Sequence, residues 1–421
     1  MNKDKMKIYS LHDADYGIVN FENCKRIIVS SEEKNAFEHL MSGESNSFSD
    51  NEKRILQKLI EKGFFSKKAI NREIENVTEQ RQTVHFYLTD YCNYYCKYCY
   101  ADAAPKKMSN QTLSLEDGKK IINRIVDCGF KEVVFTGGEP FLYKDLFPLA
   151  AYARRKLLRV GLLTNGYYID EETAKRCRCF HYVKTSLDGS QAQYHDPMRG
   201  EGSFTKTVEA IRLLKNNNVN VEVGSVITKV NMENIPDLLT FVSEDLHIDR
   251  HTLSQYTSGK RKILAEMECN CDEIIEINYK TLKYKLSKRN KETTSGLEYL
   301  LPTSPVFHCG MGVTEILVDY LGDVYPCRMS RYKKFCMGNM LCTDLGIILE
   351  QFLLSDIYNS ADVDKQSACK ICNYKYLCGG GCRMHHAGYS GALNEVDASV
   401  CKIMKNEIDD KLKWKQFYTI N

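Results

Sequence analysis

Cys92-Asn93-Tyr94-Tyr95-Cys96-Lys97-Tyr98-Cys99 places three thiols in one short loop at C-x3-C-x2-C spacing. The loop follows a strand-like run, Val84-His85-Phe86-Tyr87-Leu88-Thr89, so the cysteines stand at a strand's C-terminal end. Three thiolates are too few to close a tetrahedral zinc site, which wants a fourth Cys or His close by. They suit a cubane iron–sulfur cluster that keeps one iron open for an outside ligand.

Outward from this loop, strand and helix alternate across residues 81–295. The strand-like runs are Val84–Thr89, Glu132–Phe135, Val160–Thr164, Tyr182–Leu187, Val221–Ile227 and His251–Gln255. One helical period between them carries Ile121, Ile122, Ile125 and Val126, opened by Ser114-Leu115-Glu116-Asp117 in the manner of a capping box. Another carries Phe204, Val208, Ile211 and Leu214 after Ser203. This rhythm predicts an α/β fold with a parallel sheet. It allows either a barrel or an open doubly wound sheet. In a barrel the chemistry gathers where the strands end.

Several polar residues fall at those ends. Gly137-Gly138-Glu139-Pro140 follows Val133-Val134-Phe135; paired glycines let a ligand approach the backbone, and Glu139 suits an ammonium partner. Thr164-Asn165-Gly166 and Ser186-Leu187-Asp188-Gly189 end the next two strands. Their small side chains suit hydrogen bonds to a ribose or carboxylate, and by themselves read as ordinary turns. Ser225 and Thr228 lie on the fifth strand. His195 and Arg199, in Tyr194-His195-Asp196-Pro197-Met198-Arg199-Gly200, read as loop residues with structural or rim roles.

Beyond about residue 300 the chain becomes dense in Gly and Cys. Cys309, Gly322 and Cys327 read C-x12-G-x4-C; Cys369, Cys372, Cys378 and Cys382 read C-x2-C-x5-C-x3-C; Cys401 follows. Seven cysteines fit two four-ligand zinc sites poorly, although His308, His385 and His386 keep zinc open. A last helix is expected over 402–418. At the other end, Tyr9–Val19 and Cys24–Val29 read as strands around an Asn20-Phe21-Glu22-Asn23 turn. Apolar periods at Ala36, Phe37, Leu40, Met41 and at Ile55, Leu56, Leu59, Ile60 follow. Strands and small helices predict a winged-helix-like module over residues 1–80, or else a packing extension of the barrel.

A net charge of +3 across 421 residues does not support a nucleic-acid partner, which wants a basic excess. No run approaches the roughly 18 apolar residues of a membrane span. Met1-Asn2-Lys3-Asp4-Lys5-Met6 has no signal-peptide character, so a cytoplasmic location is expected. Eighteen cysteines in that compartment point to metal or cluster ligation rather than disulfides. Ten of them lie in the spaced motifs; Cys24, Cys128, Cys177, Cys179, Cys269, Cys271, Cys336 and Cys342 are scattered.

The loop, with Tyr98 in the aromatic slot of C-x3-C-x-aromatic-C, resembles the radical S-adenosylmethionine (SAM) superfamily. Gly137-Gly138-Glu139-Pro140 resembles that family's GGEP motif, which reads the methionine amino group. The resemblance implies a partial six-stranded (β/α) TIM-type barrel over 81–295. It implies a 4Fe–4S cluster on Cys92, Cys96 and Cys99, and S-adenosyl-L-methionine chelating the open iron. Tyr98, Gly137, Gly138, Glu139, Asn165, Ser186 and Asp188 carry over as cofactor contacts, with Ser225 and Thr228 as further candidates. One electron then cleaves the S–C5′ bond, and a 5′-deoxyadenosyl radical removes a hydrogen atom from the substrate.

The C-terminal array resembles the SPASM domain of radical SAM enzymes, a cysteine-rich iron–sulfur domain over 296–421. It implies two auxiliary clusters, one on Cys369, Cys372, Cys378 and Cys401, the other on Cys309, Cys327 and Cys382. The second set lacks a fourth ligand, because Gly310-Met311-Gly312-Val313-Thr314-Glu315 holds no cysteine. Either that iron is open to a substrate thiolate, or Cys336 or Cys342 closes it. The N-terminal module resembles domains that bind the leader of a precursor peptide as an added strand. The expected function is a maturase of ribosomally made peptides that forms a Cys thioether or a carbon–carbon crosslink, fed by a reductant such as flavodoxin or ferredoxin. A sulfatase-maturating enzyme is a second reading. It expects an Asp directly after the second SPASM cysteine, where this chain has Arg328 after Cys327. A multi-cluster electron carrier is the reading outside this class.

Overall fold

A computed structural model describes residues 5–12, 15–42, 48–65, 80–105, 112–288, 301–390, 393 and 395–418. The chain forms two compact units. One joins Asn76–Glu298 with Gly310–Asn359; the other joins Met1–Glu75, Tyr299–Cys309 and Ser360–Asn421.

The first unit is built on a mixed α/β sheet. Strands β4 (Thr83–Tyr87), β5 (Glu132–Thr136), β6 (Arg159–Thr164), β7 (Tyr182–Ser186), β8 (Val221–Ile227) and β9 (His251–Gln255) pair in parallel, each with the next. The sequential order has no reversal, whereas a doubly wound sheet reverses at a switch point. The strands read as apolar runs because both faces are covered: Val133, Val134 and Phe135 of β5 are all buried. Helix Leu115–Asp127 is capped by Ser114, whose hydroxyl accepts from Asp117 N at 3.0 Å. It turns Ile121, Ile122 and Ile125 into the core.

Strand β10 (Glu315–Val318) pairs in parallel with β4, and β11 (Asp323–Tyr325) and β12 (Gly338–Asn339) extend that edge antiparallel. Sequence rhythm alone did not place them, because strands of two to four residues show too little period.

In the second unit, β1 (Met6–Ser10), β2 (Tyr16–Asn20) and β3 (Arg26–Val29) form an antiparallel meander, followed by helices Ser31–Ser42 and Asp50–Glu61. The single strand expected over Tyr9–Val19 is two. A turn closed by Leu11 N–H to Asp15 O at 2.9 Å splits it. Ile18, Ile27, Val29, Phe37, Ile55, Leu59 and Phe64 make the core. Toward the C-terminus, short helices Ser367–Lys370, Lys375–Cys378 and Arg383–Ser390 precede a longer one, Ala398–Leu412. The last helix therefore starts and ends earlier than expected. Asp397 is its cap, accepting from Ser399 N at 2.9 Å and Val400 N at 3.1 Å. Among the described residues, no helix is long and apolar enough to cross a membrane.

Candidate active site

The three-cysteine loop leaves the C-terminal end of β4 and is tied down by backbone. Cys92 N–H donates to Ala104 O at 3.0 Å, and Lys97 N–H to Met198 O at 2.8 Å. Arg261 clamps it from beyond β9. Its guanidinium donates to Cys96 O at 2.7 Å, Asp102 Oδ1 at 2.9 Å and Ala103 O at 3.0 Å, and lies 3.6 Å from the Tyr95 ring centroid. No motif pointed to Arg261, which sits in Gly259-Lys260-Arg261-Lys262 and reads as a solvated basic run.

Cys96 and Cys99 lie close enough to Cys92, and Cys99 to Cys96, to work against thiolate formation there. Burial pushes the Cys92 thiol up to about 12 and the Cys96 thiol up to about 11. An iron ligand has to displace those protons. Tyr94 N–H points at Cys92 Sγ at 3.5 Å and Asn165 Nδ2 at 3.8 Å. Hydrogen bonds to cluster sulfurs are a lever on cluster potential. Among the described residues, no three His, Cys, Asp or Glu side chains converge on a point suited to a single metal ion. A cubane takes its cysteines at separate corners and needs no such convergence, so the donor set fits a cluster.

The glycine pair lets the cysteine loop pack closely. A Cβ on Gly137 would lie 2.3 Å from Thr89 O, and one on Gly138 2.1 Å from Tyr91 O. Both N–H groups beyond the bend face the same loop: Gly138 N–H donates to Thr89 O at 2.7 Å and Glu139 N–H to Tyr91 O at 2.9 Å. The bare backbone lets the cysteine loop pack on the end of β5. Gly138→Ala is therefore expected to cost at least about 1–3 kcal/mol, the range for ordinary overpacking. Urea denaturation checks the loss, and iron content checks the loop.

Glu139 is buried, and its carboxylate accepts from Thr164 Oγ1 at 2.8 Å, Asn165 N at 2.9 Å and Phe141 N at 3.2 Å. A carboxylate has about four acceptor positions, so one remains for an ammonium. Burial raises this carboxyl to about 7 from 4.5, against the pull of its three donors. The folded state thus holds a proton that the unfolded state releases. Its stabilising contribution is complete below about pH 4.5 and is lost as pH rises toward about 7. Glu139→Gln is expected to flatten the pH dependence of the melting temperature across that window. A cation placed beside Glu139 is expected to flatten it also, by keeping the carboxylate ionised.

Asp188 is fully buried and joins four elements. Its carboxylate pairs with Arg199 Nε at 2.5 Å and Nη2 at 3.3 Å, accepts from Val226 N at 2.8 Å, and accepts from the Tyr98 hydroxyl. Burial pushes the carboxyl up; the charge and hydrogen bonds of Arg199 outweigh it and leave it below the ordinary range. Arg199 also covers the Tyr98 ring, 5.2 Å from its centroid. The expectation that His195 and Arg199 are loop or rim residues is corrected here. Both are buried on helix Ala192–Arg199, one turn apart. Pro197 inside that helix hid it from sequence reading. His195 Nδ1 accepts from Asp188 N at 3.0 Å, and burial lowers its imidazole to about 4. Asn231, also without a motif, donates to Asp188 O at 2.7 Å.

The structure thus ties together Cys92, Asn165 and Glu139 on one side of the loop and Tyr98, Asp188 and Arg199 on the other. Ser186 ends β7 opposite Gly224, half-buried, with no side-chain hydrogen bond among the described residues. Ser225 and Thr228 are spent internally, on Leu187 O and His251 and on Asn231. Asp319 pairs with Arg331 Nε at 3.2 Å and accepts from Leu321 N and Asp323 N, while Glu315 lies 3.4 Å from His85 Nε2.

Among the later cysteines, burial raises the thiols of Cys369, Cys378 and Cys401, and neighbouring sulfurs of the set, that of Cys372 included, raise them further, so the four sulfurs are neighbours. Cys309 and Cys382 are exposed in the same unit; Cys327 is buried in the other. Cys336 and Cys342 are exposed.

Residues 86–242 match the Radical SAM superfamily. Fe-coproporphyrin III synthase of Methanosarcina barkeri is 28% identical over 384 residues, 82% of this chain and 93% of that protein. The antilisterial bacteriocin subtilosin biosynthesis protein AlbA of Bacillus subtilis is 26% identical over 337 residues, 76% of this chain and 71% of that protein. The fold matches Streptococcus suis SuiB bound to precursor peptide SuiA with a TM-score of 0.62 and 17% identity, covering 94% of this chain and 99% of that one. The three-cysteine loop, the strand-end residues bonded to it and this match agree: residues 86–242 of this enzyme form a radical SAM domain.

Proposed function

We propose that this enzyme matures a peptide: it removes a hydrogen atom from a precursor residue and joins that carbon to a cysteine sulfur. Cys92, Cys96 and Cys99 would hold a 4Fe–4S cluster, with SAM bound beside it. When bound, these groups supply reductive S–C5′ cleavage and hydrogen-atom abstraction. The chain's own residues do the rest. Arg261 and the β4 and β5 backbones hold the loop, Glu139 offers an acceptor to an ammonium, and the Asp188–Arg199 pair fixes Tyr98 within the loop.

Two auxiliary clusters belong to this reading. One rests on Cys369, Cys372, Cys378 and Cys401, the other on Cys309, Cys327 and Cys382. Thioether formation removes one hydrogen atom, one thiol proton and one electron, and an auxiliary cluster would accept that electron. A flavodoxin or ferredoxin supplies the electron for SAM cleavage. The parallel strands and their helices serve as a partial (β/α)6 barrel. The N-terminal meander serves as a winged-helix-like leader-binding module.

That meander carries the peptide reading. In the order β1-β2-β3 it presents edge strands, on which an extended peptide can add main-chain hydrogen bonds. Among relatives, AlbA acts in bacteriocin biosynthesis and SuiB was solved with a precursor peptide.

The test is anaerobic co-expression with the short peptide encoded beside the gene, followed by intact and fragment masses. Loss of hydrogen pairs with cysteines no longer alkylatable supports the thioether. Loss with free cysteines points to carbon–carbon crosslinking. An unmodified peptide, with 5′-deoxyadenosine still made, turns the reading toward a small molecule, the class named in the Methanosarcina barkeri relative.

A further inference from the structure

Arg383 is the largest fully buried side chain among the described residues. Its Nη1 donates to the neutral Gln366 Oε1 at 2.5 Å, while Nε and Nη2 have no hydrogen-bond partner among those residues. Among the described residues, no carboxylate pairs with it. Three acids of the same unit are engaged elsewhere: Asp364 with Lys375 at 2.7 Å, Asp409 with Lys7 and Tyr374, and Asp397 at its helix cap. A buried cation without an anion costs several kcal/mol in order of magnitude, so a counter-charge is required.

The surroundings show where that charge belongs. Gly379, Gly380 and Gly381, between Cys378 and Cys382, all have left-handed φ, of 61°, 79° and 66°. A Cβ on Gly380 would lie 1.8 Å from Arg383 Nη2. The cysteine-bearing loop therefore wraps the guanidinium, which occupies the place of the missing side chain. The Cys369 thiol reaches the same Gln366 Oε1 at 3.8 Å, so that oxygen lies between the cysteine and the guanidinium. Gly380 N–H faces the Cys378 sulfur.

We propose that Arg383 is the buried counter-charge of the auxiliary cluster on Cys369, Cys372, Cys378 and Cys401, and that it holds that cluster's reduction potential up. This rests on the ligand set given under the proposed function. Four thiolates around an iron–sulfur core leave a net negative charge that grows on reduction. A fixed cation beside it favours the reduced form, and net charge is one of the levers on such potentials.

The experiment uses the full chain with Cys92, Cys96 and Cys99 changed to alanine, so that only auxiliary signals remain. Iron is counted after anaerobic reconstitution, and an EPR-monitored redox titration gives the midpoint. Arg383→Gln is expected to make reduction at least tenfold less favourable at a given potential, about 59 mV for one electron. Arg383→Lys keeps the charge and is expected to stay near the parent. An Arg383→Gln titration that overlays the parent, with iron intact, overturns the proposal. If Arg383→Gln sheds its cluster, Arg383→Lys decides. A parent-like potential supports the role of charge, and a tenfold fall despite the retained cation overturns it. A parent without auxiliary iron overturns the ligand set itself, and its iron count tells that failure apart.

Discussion

Asp188→Ala is expected to cost about 3–5 kcal/mol of folding stability, the range for breaking a buried ion pair on one side. The deletion leaves Arg199 buried and charged, with the cation's two hydrogen bonds to Asp188 gone. It also frees the Tyr98 hydroxyl and Val226 N–H. Urea denaturation measures the loss, and iron content follows, because Tyr98 lies between Cys96 and Cys99. Asp188→Asn keeps the shape and one acceptor oxygen but not the charge, and is expected to fall between wild type and alanine. If alanine unfolds like wild type, Asp188 is no structural hub and its carboxylate is free to meet a ligand.

Changing Cys92, Cys96 and Cys99 together to alanine is expected to remove about four irons per chain and to abolish 5′-deoxyadenosine formation from SAM. The fold is expected to survive. The loop is held by Cys92 N–H to Ala104 O, Lys97 N–H to Met198 O and the Arg261 clamp, none of which uses a cysteine sulfur. Circular dichroism and iron analysis separate the two effects. Loss of fold alongside the iron would mean that the cluster, rather than the backbone, organises the loop.

How legible the fold was depends on period and burial. The six strands β4–β9 were visible because strands covered on both faces become apolar runs, and their ends fell within a residue or two of the expected positions. β10–β12 stayed hidden because a short strand at a sheet edge has no period to read. Helix Ala192–Arg199 was hidden by Pro197. The cysteine loop was legible because spacing alone limits what three thiols can do. The glycine pair was legible in place, and its close packing on the Thr89 and Tyr91 carbonyls was not, since sequence does not show which backbone lies beside it. Asp188 was picked out for a ligand contact, and its carboxylate is taken by Arg199, Tyr98 and Val226. Arg261, Asn231 and Arg383 act through partners distant in sequence, and single-residue chemistry gave no sign of them.

The most direct measurement follows a hydrogen atom. Peptide substrate made in deuterated medium is incubated anaerobically with the enzyme, SAM and reductant in ordinary water, and the 5′-deoxyadenosine formed is weighed by mass spectrometry. The account predicts 5′-deoxyadenosine one mass unit heavier, appearing in step with the modified peptide. 5′-Deoxyadenosine that carries no deuterium while the peptide stays unchanged would contradict it.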